Sequence, residues 1–325
     1  MNLTVRQIVF QSTNGKGQIY GWVYLPGKEP EGVVQICHGM SEHMGRYHEF
    51  MRFLAQKGYA ACGIDHIGHG RSANEGELGF FGEEDGWKTL IEDQYKFYKI
   101  VKTEVPGELP RFLLGHSMGS FIARLYAAKY PRSLQGLLLS GTGRGGWMLD
   151  LAQRMAARSI KKNGPKAVDR ELNKLVFAHY NDHFRPAKTH SDWLSRSSEW
   201  VRQYIDDPKC GFVFTSAAFR DLFTLVDMAN QSRCFDGTPK DLPVLIFSGT
   251  EDPVGNYGKG PTQVYQRYVK AGLSDVELTL YDGGRHEMLG EINREQVWEH
   301  LLNWLGEHAA FPVPPEECMP LEEET

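Results

Sequence analysis

A serine between two glycines is the strongest chemical signal in this sequence. Gly115-His116-Ser117-Met118-Gly119 follows a short apolar segment, 111–114, and precedes a segment with helical apolar spacing, 120–130, that stops at Pro131. A G-x-S-x-G sequence between a strand and a helix is typical of a nucleophile elbow, a sharp turn that exposes the serine hydroxyl above a sheet. We therefore predict Ser117 as a nucleophile; the alternative is an ordinary turn that happens to carry a serine.

A serine hydroxyl is a poor nucleophile at neutral pH, so it needs a base within hydrogen-bond reach and an acid that orients the base. Asp252 follows the apolar segment 244–248, and His286 follows the apolar segment 276–281. Both lie in loops at strand ends, on the sheet edge where the serine turn also opens. The chain order serine, acid, histidine occurs in known triads, and it predicts His286 as the base and Asp252 as the acid.

Two other carboxylates compete for the role of the acid. Glu251 is adjacent to Asp252, but the Asp-Pro pair at 252–253 suits a turn that fixes the carboxylate. Asp282 lies near His286, but the glycines that follow it indicate a turn. Asp252 is therefore the preferred acid.

Acyl transfer also requires hydrogen-bond donors for the oxyanion that develops in the tetrahedral intermediate. The backbone N–H of Met118, directly after the serine, is one predicted donor. The second is the N–H of Met40, because Gly39 allows a sharp turn in the loop that follows the third strand. A generic glycine turn is the alternative for this loop.

Strands and helices alternate along most of the chain, which predicts an α/β fold with a mostly parallel central sheet and helices on both faces. The predicted strands are 5–11, 19–25, 32–38, 59–64, 111–114, 134–139, 244–248 and 276–281, and the predicted helices are 47–57, 85–103, 120–130, 262–271 and 294–308. The carboxyl ends of these strands would carry the serine, acid and histidine.

The strand pattern is interrupted once. Residues 1–140 and 213–312 are predicted as two parts of one core, 141–212 as an inserted helical cap over the carboxyl edge of the sheet, and 313–325 as an acidic flexible tail. In the cap, Trp147, Leu151 and Met155 share one face of a predicted helix over 147–158, and a second helix is predicted over 192–204.

The cap is basic, although the whole chain is acidic. Residues 144–200 contain 11 Lys and Arg against 6 Asp and Glu, a surplus of +5 in a chain with a net charge of −5. A basic amphipathic segment is able to make transient contact with anionic lipid head groups at a membrane surface or with an anionic product. A solvated helical surface with its apolar side on the core explains the same pattern more simply.

Composition argues against nucleic-acid binding, a disulfide framework and a membrane span. The net charge of −5 gives no indication of nucleic-acid binding. Five widely spaced cysteines without a C-x-x-C pattern suit reduced thiols better than disulfides. The first residues lack the features of a signal peptide, and no apolar run approaches the roughly 18 residues of a membrane span. We expect a soluble, cytoplasmic protein.

The histidines at 38, 43, 48, 66 and 69 raise the question of a metal. None of them forms an H-E-x-x-H pattern, and His286-Glu287-Met288-Leu289-Gly290 lacks the second histidine. The loop 65–72 is interpreted as a hydrogen-bonded turn beside the site. The sequence predicts neither a metal nor another cofactor.

Five motifs in register carry a family resemblance. The segments 38–47 (HGMSEHMGRY) and 65–72 (DHIGHGRS), together with 115–119, 252–254 and 284–287, resemble the monoacylglycerol lipase and lysophospholipase branch of the α/β-hydrolases. The resemblance covers nearly the whole chain except the cap. It implies a serine hydrolase of single-chain lipid esters, with Ser117, Asp252 and His286 as triad and Met40 and Met118 as oxyanion donors. Met40 departs from the smaller residue that the branch often has there, which suggests a tighter acyl pocket.

The implied reaction is acyl transfer through a covalent acyl-enzyme, without a cofactor. Peptidases, thioesterases and acyltransferases use the same triad, so these alternatives stay open, as does a non-catalytic ligand-binding protein. Epoxide hydrolases and dehalogenases are disfavoured, because they carry a carboxylate where this chain has Ser117. Monoacylglycerol or lysophospholipid, the acyl length and the oligomeric state are left undetermined.

Overall fold

A computed structural model describes residues 3–105, 107–145 and 149–309, and within them the strands form one eight-stranded sheet. The strands are β1 (Thr4–Gln11), β2 (Gln18–Leu25), β3 (Val33–Cys37), β4 (Ala60–Ile64), β5 (Arg111–His116), β6 (Gly136–Ser140), β7 (Val244–Gly249) and β8 (Val276–Tyr281). Their order is β1-β2-β4-β3-β5-β6-β7-β8, in which β1–β2 and β2–β4 pair antiparallel and all other pairs are parallel.

Ten α-helices lie within the described residues. They are α1 (His48–Gln56), α2 (Gly86–Glu104), α3 (Met118–Lys129), α4 (Leu149–Asn163), α5 (Arg170–Phe177), α6 (Ser198–Asp206), α7 (Ser216–Ala229), α8 (Ser232–Gly237), α9 (Lys259–Lys270) and α10 (Arg294–Ala309). None of the described helices is long and apolar enough to cross a lipid bilayer.

The central strands are buried on both faces, as a parallel sheet covered by helices requires. In β5, Leu113 belongs to the core that contains Phe97 of α2 and Ile122 of α3. Its neighbours Phe112 and Leu114 belong to the opposite core, which contains Phe50 of α1 and Leu301 of α10. This alternation confirms the predicted α/β fold with helices on both faces.

The stretch between β6 and β7 contains α4 to α8. Helix α7 packs on α3 and on α4 and thereby connects this stretch to the core. The division into a core, a cap at 141–212 and a tail at 313–325 stays a prediction, and the tail lies outside the described residues, as does Trp147.

The predicted helix over 192–204 is wrong in its bounds. Asp192–Leu194 forms a separate 3-10 turn, and α6 begins at Ser198 because the Ser197 hydroxyl accepts a hydrogen bond from the N–H of Trp200 at 3.3 Å. Helices α5, α7 and α8 were not anticipated from the sequence. The predicted strands and the other predicted helices match observed elements to within a few residues.

Candidate active site

Ser117 lies in the turn between β5 and α3 with φ 53° and ψ −119°, a backbone conformation that side chains with a Cβ rarely adopt. Such strain costs on the order of 1–3 kcal/mol and is retained mostly at functional positions. The turn is tight: a Cβ on Gly119 would lie 2.1 Å from the carbonyl oxygen of Cys37, and one on Gly115 would lie 2.4 Å from that of Gly119. Ser117 is half-buried between buried neighbours.

The loops after β7 and β8 bring Asp252 and His286 together. Nδ1 of His286 lies 3.0 Å from both carboxylate oxygens of Asp252. The same carboxylate accepts hydrogen bonds from the hydroxyl of Ser248 and from the N–H of Val254, each at 2.9 Å. A hydrogen on Nδ1 satisfies the carboxylate and leaves Nε2 of His286 as a proton acceptor.

Charge and burial act in opposite directions on this pair. Burial alone would raise the pKa of Asp252, but the His286 ring and the hydrogen-bond donors hold that pKa below its usual value. Burial alone would lower the pKa of His286, but Asp252, Glu287 and Glu42 raise it above its usual value. Asp252 is therefore ionised at neutral pH.

The two competing carboxylates belong to residues that are less buried than Asp252. Asp282 is exposed at the start of its loop, and Glu251 is half-buried. The carboxylate that contacts the His286 ring is that of Asp252.

Ser117 and His286 open into the same cavity, which has a volume of about 310 Å³. Met40 and Met118, the predicted oxyanion donors, also line it. Met118 is the first residue of α3, so its N–H belongs to the first turn, where a helix supplies no backbone acceptor. The loop before Met40 packs against the serine, because a Cβ added to Gly39 would lie only 3.2 Å from Cβ of Ser117.

Most of the cavity wall is apolar, and the helices between β6 and β7 supply much of it. The apolar lining consists of Phe121 of α3, Leu149 and Ala152 of α4, Leu175, Val176 and Phe177 of α5, Leu222, Phe223 and Val226 of α7, with Trp193, Leu194 and Val254. This volume lies at the lower end of the roughly 300–1,000 Å³ of small-molecule sites.

A buried ion network lies beside His286. The Arg46 guanidinium donates to both oxygens of Glu287, at 2.5 and 2.8 Å, and to Glu42 at 3.0 Å. Glu42 also accepts from the N–H of Gly39 at 2.5 Å, and Glu287 accepts from the indole N–H of Trp200 at 2.6 Å. The network thus connects the loop before Met40, the histidine loop and α6.

The pKa values of the two carboxylates in this network shift in opposite directions. Burial raises the pKa of Glu42 above its usual value, although Arg46 acts against it. For Glu287 burial acts in the same upward direction, but the charge and hydrogen bonds of Arg46 prevail and hold its pKa low. Glu287 is therefore ionised at neutral pH and pairs with Arg46.

Backbone hydrogen bonds join the histidine loop to the segment before α6. The N–H of Glu287 donates to the carbonyl of Leu194 at 2.8 Å, and that of His286 donates to Trp193 at 3.4 Å. The ring centroids of Trp193 and His286 are 5.2 Å apart. The indole therefore covers one side of the His286 ring.

Sequence reasoning missed several residues of the site. Glu42 and Arg46 lie within the 38–47 motif and are four residues apart, a spacing typical of ion pairs. Nothing in the sequence indicated that Trp193 would lie beside His286, or Trp200 beside Glu287. His116 was also passed over; burial and the nearby His286 lower its pKa to about 3, so its ring is neutral.

Among the described residues, two groups of potential metal ligands occur outside the cavity lining. One contains His43, Asp207 and Cys210, and the other contains Asp275, Glu277 and His308. In the first group, Nδ1 of His43 accepts from the N–H of Gly45 at 3.1 Å, while Nε2 lies 2.9 Å from Asp207. A neutral ring used in this way carries its hydrogen on Nε2, which does not suit metal ligation. We assign no metal to it.

Comparisons with known proteins find similar hydrolases. The Hydrolase_4 family, described as "Serine aminopeptidase, S33", matches residues 28–293. Monoacylglycerol lipase of Mycolicibacterium smegmatis is 29% identical over 92% of this chain and 96% of its own. Human monoglyceride lipase is 28% identical over 91% of this chain and 90% of its own.

Two solved structures resemble most of the chain. A thermostable carboxyl esterase from Bacillus coagulans, in complex with glycerol, superimposes with a TM-score of 0.89 at 29% identity, covering 94% of this chain and 99% of the esterase. A lipase in its open form superimposes with a TM-score of 0.86 at 30% identity, covering 95% of this chain and all of the lipase.

Proposed function

The chain belongs to the Hydrolase_4 family and is a carboxylic ester hydrolase with the α/β-hydrolase fold, and we propose that it cleaves single-chain lipid esters with Ser117, His286 and Asp252. The observation that carries this proposal is the His286–Asp252 pair, whose ring opens into the same cavity as the strained Ser117. The carboxylate holds the histidine in the tautomer that a general base needs.

In the proposed reaction, Oγ of Ser117 attacks the ester carbonyl carbon while Nε2 of His286 accepts the hydroxyl proton. The C–O bond to the alcohol then breaks, and His286 returns the proton to the leaving alcohol. A water molecule activated by the same histidine hydrolyses the acyl-enzyme and releases the fatty acid. Asp252 stays ionised throughout and stabilises the imidazolium.

We assign the oxyanion hole to the N–H groups of Met40 and Met118. The hydrogen bond from Gly39 to the buried Glu42 fixes the backbone directly before Met40. Donors fixed in this way need no reorganisation when negative charge develops, and removing one typically costs about 10²–10³-fold in rate. The side chain at position 40 does not take part, so the departure from the family pattern there leaves the donor intact.

The cavity and the relatives support the proposed substrate class. A mostly apolar wall beside Ser117 suits one acyl chain. The relatives are named as monoacylglycerol and monoglyceride lipases. We propose a monoacylglycerol or a lysophospholipid as substrate, and the segment 141–212 as the cap that supplies part of the acyl site and makes transient contact with lipid surfaces.

An aminopeptidase activity is the second candidate, because the family description names one. Such an enzyme must bind the ammonium group of a peptide with an available carboxylate. The two carboxylates that line the described part of the cavity, Glu42 and Glu287, both pair with Arg46. This arrangement favours esters over peptides with a free amino terminus.

The test compares the wild type with Ser117→Ala. Purified protein is treated with a fluorophosphonate probe and assayed on p-nitrophenyl esters, monoacylglycerols, lysophospholipids and aminoacyl anilides. We expect labelling of Ser117 and ester hydrolysis in the wild type, and neither in the variant. Undiminished ester turnover by Ser117→Ala, or turnover of anilides alone, would contradict the proposal.

A further inference from the structure

One charged side chain on the cavity wall is not used by the proposed reaction. Arg144 lies in the loop after β6 and lines the cavity together with Ser117 and His286. Its side chain is exposed at the cavity rim. The charged lining residues Glu42 and Glu287 pair with Arg46, whereas no hydrogen bond or ion pair joins the Arg144 guanidinium to a residue of 3–105, 107–145 or 149–309.

The backbone on both sides of Arg144 is packed against the site. A Cβ on Gly141 would lie 2.8 Å from Cε1 of His286, and one on Gly143 would lie 3.2 Å from the carbonyl oxygen of Val254. A Cβ on Gly145 would lie 2.9 Å from side-chain carbons of both Leu149 and Val226, which line the cavity. The position of Arg144 along the wall is therefore fixed by its neighbours.

Two further guanidiniums make the surroundings positive. Arg124 is fully buried, and its hydrogen bonds go to the carbonyls of Gly143 and Ala229 and to the Asn230 side chain. Arg267 donates to the carbonyl of Asn230. These acceptors are neutral, so they do not cancel the positive charges.

The lowered pKa of Arg267 agrees with positive surroundings. Partial burial lowers its pKa first, and the positive charges of Arg124 and Arg144 lower it further, while Asp236 acts in the opposite direction. Arg144 thus lies in a region with an excess of positive charge beside an ester-binding cavity.

We infer that Arg144 forms an anion subsite of this cavity, and that the preferred ester substrates carry a phosphate or a carboxylate in addition to the scissile ester. A guanidinium presents paired N–H groups that match the oxygens of either anion. The inference rests on the proposed function and narrows its substrate class. The anion comes either from a phosphate on the alcohol part or from a carboxylate at the far end of the acyl part.

The experiment uses three octanoyl-length esters of glycerol below their micellar concentrations. One is neutral monooctanoylglycerol, one carries a phosphate on the glycerol, and one carries a carboxylate at the end of the acyl chain. The value of kcat/KM is measured for the wild type, for Arg144→Gln and for Arg158→Gln, which removes the same charge from an exposed position of α4 outside the cavity lining.

We expect the wild type to prefer one of the anionic esters over the neutral ester, and the preferred ester identifies the source of the anion. Arg144→Gln should lower kcat/KM for that ester about tenfold or more and leave the neutral ester within about twofold, as the loss of a charge-assisted pair predicts. Arg158→Gln should change none of the three values, and added salt should weaken the preference.

Equal losses for all three esters in Arg144→Gln, or a wild type without preference for either anionic ester, would overturn the inference and leave the proposed function intact. A wild type that hydrolyses none of the three esters and is not labelled at Ser117 would instead contradict the proposed function itself.

Discussion

The carboxylate of Glu287 accepts two hydrogen bonds from the guanidinium of Arg46, from Nη1 at 2.5 Å and from Nη2 at 2.8 Å. Glu287 directly follows His286, and Arg46 also holds Glu42, which accepts from the backbone of the loop before Met40. The proposed base and one proposed oxyanion donor are therefore joined through the buried Glu287–Arg46–Glu42 network, and a change in this network should be visible in catalysis.

Glu287→Gln should move the acid limb of the kcat/KM profile to lower pH. The negative charge of Glu287 contributes to the raised pKa of His286, and the base works only when it is neutral. Removing that charge lowers the pKa of His286, so the neutral ring persists at more acidic pH. Profiles with a soluble ester measure the shift, and Glu251→Gln is the control with the same change of charge. An unmoved limb, or one moved to higher pH, contradicts the assignment.

Asp252→Asn should reduce kcat by about 10⁴-fold, because the amide no longer stabilises the imidazolium or selects its tautomer. Glu251→Gln should retain activity within about threefold, because the carboxylate that contacts the histidine is that of Asp252. Steady-state kinetics with one ester distinguish the two variants. A large loss of activity in Glu251→Gln together with a small loss in Asp252→Asn would show that Asp252 is not the acid.

Gly119→Ala should destabilise the protein strongly, since the added Cβ would lie 2.1 Å from the carbonyl oxygen of Cys37 and the backbone must shift. Gly306→Ala is a matched control in α10, where the added methyl group has no neighbour within 4 Å. That control should stabilise the helix by about 0.5–1 kcal/mol. Thermal unfolding provides both values, and an undisturbed melting temperature in Gly119→Ala would show that the elbow is less tight than described.

Ala152→Phe should shorten the preferred acyl chain. Ala152 is buried where α4 lines the cavity, so a larger ring there fills volume that a long chain needs. We expect kcat/KM for a palmitate ester to fall about tenfold or more relative to a butyrate ester. Ala157→Phe places the same ring on the exposed side of α4 and should leave the ratio unchanged. A parallel loss for both esters would show damage to the fold instead of a shorter site.

The alternating core of this fold was predictable because its strands and helices are distinct apolar segments. Helix α7 also has a signal in the sequence. Its residues Phe219, Leu222, Phe223 and Val226 have helical spacing, and the side chain of Thr215 caps its first turn. This helix was not predicted, because it lies between the predicted cap and β7, where the alternation of strands and helices is interrupted.

The triad candidates were predictable because each directly follows a strand of a parallel sheet, where topology brings loops to one edge. The ion network was not, since Arg46 and Glu287 are 241 residues apart in the sequence. No local spacing connects such positions. The place of Trp193 beside His286 likewise depends on how the segment before α6 folds back over the sheet.

That segment has a consequence for the construction of chimeras. The carbonyls of Trp193 and Leu194 accept the backbone N–H groups of His286 and Glu287, and the Ser195 hydroxyl donates to the carbonyl of Gly290. Transplanting a relative's whole stretch between β6 and β7 would exchange these contacts to the histidine loop along with part of the cavity wall. A graft restricted to α4 and α5 replaces cavity wall and leaves the contacts of the histidine loop in place, so the cavity can be reshaped while His286, the proposed base, keeps its neighbours.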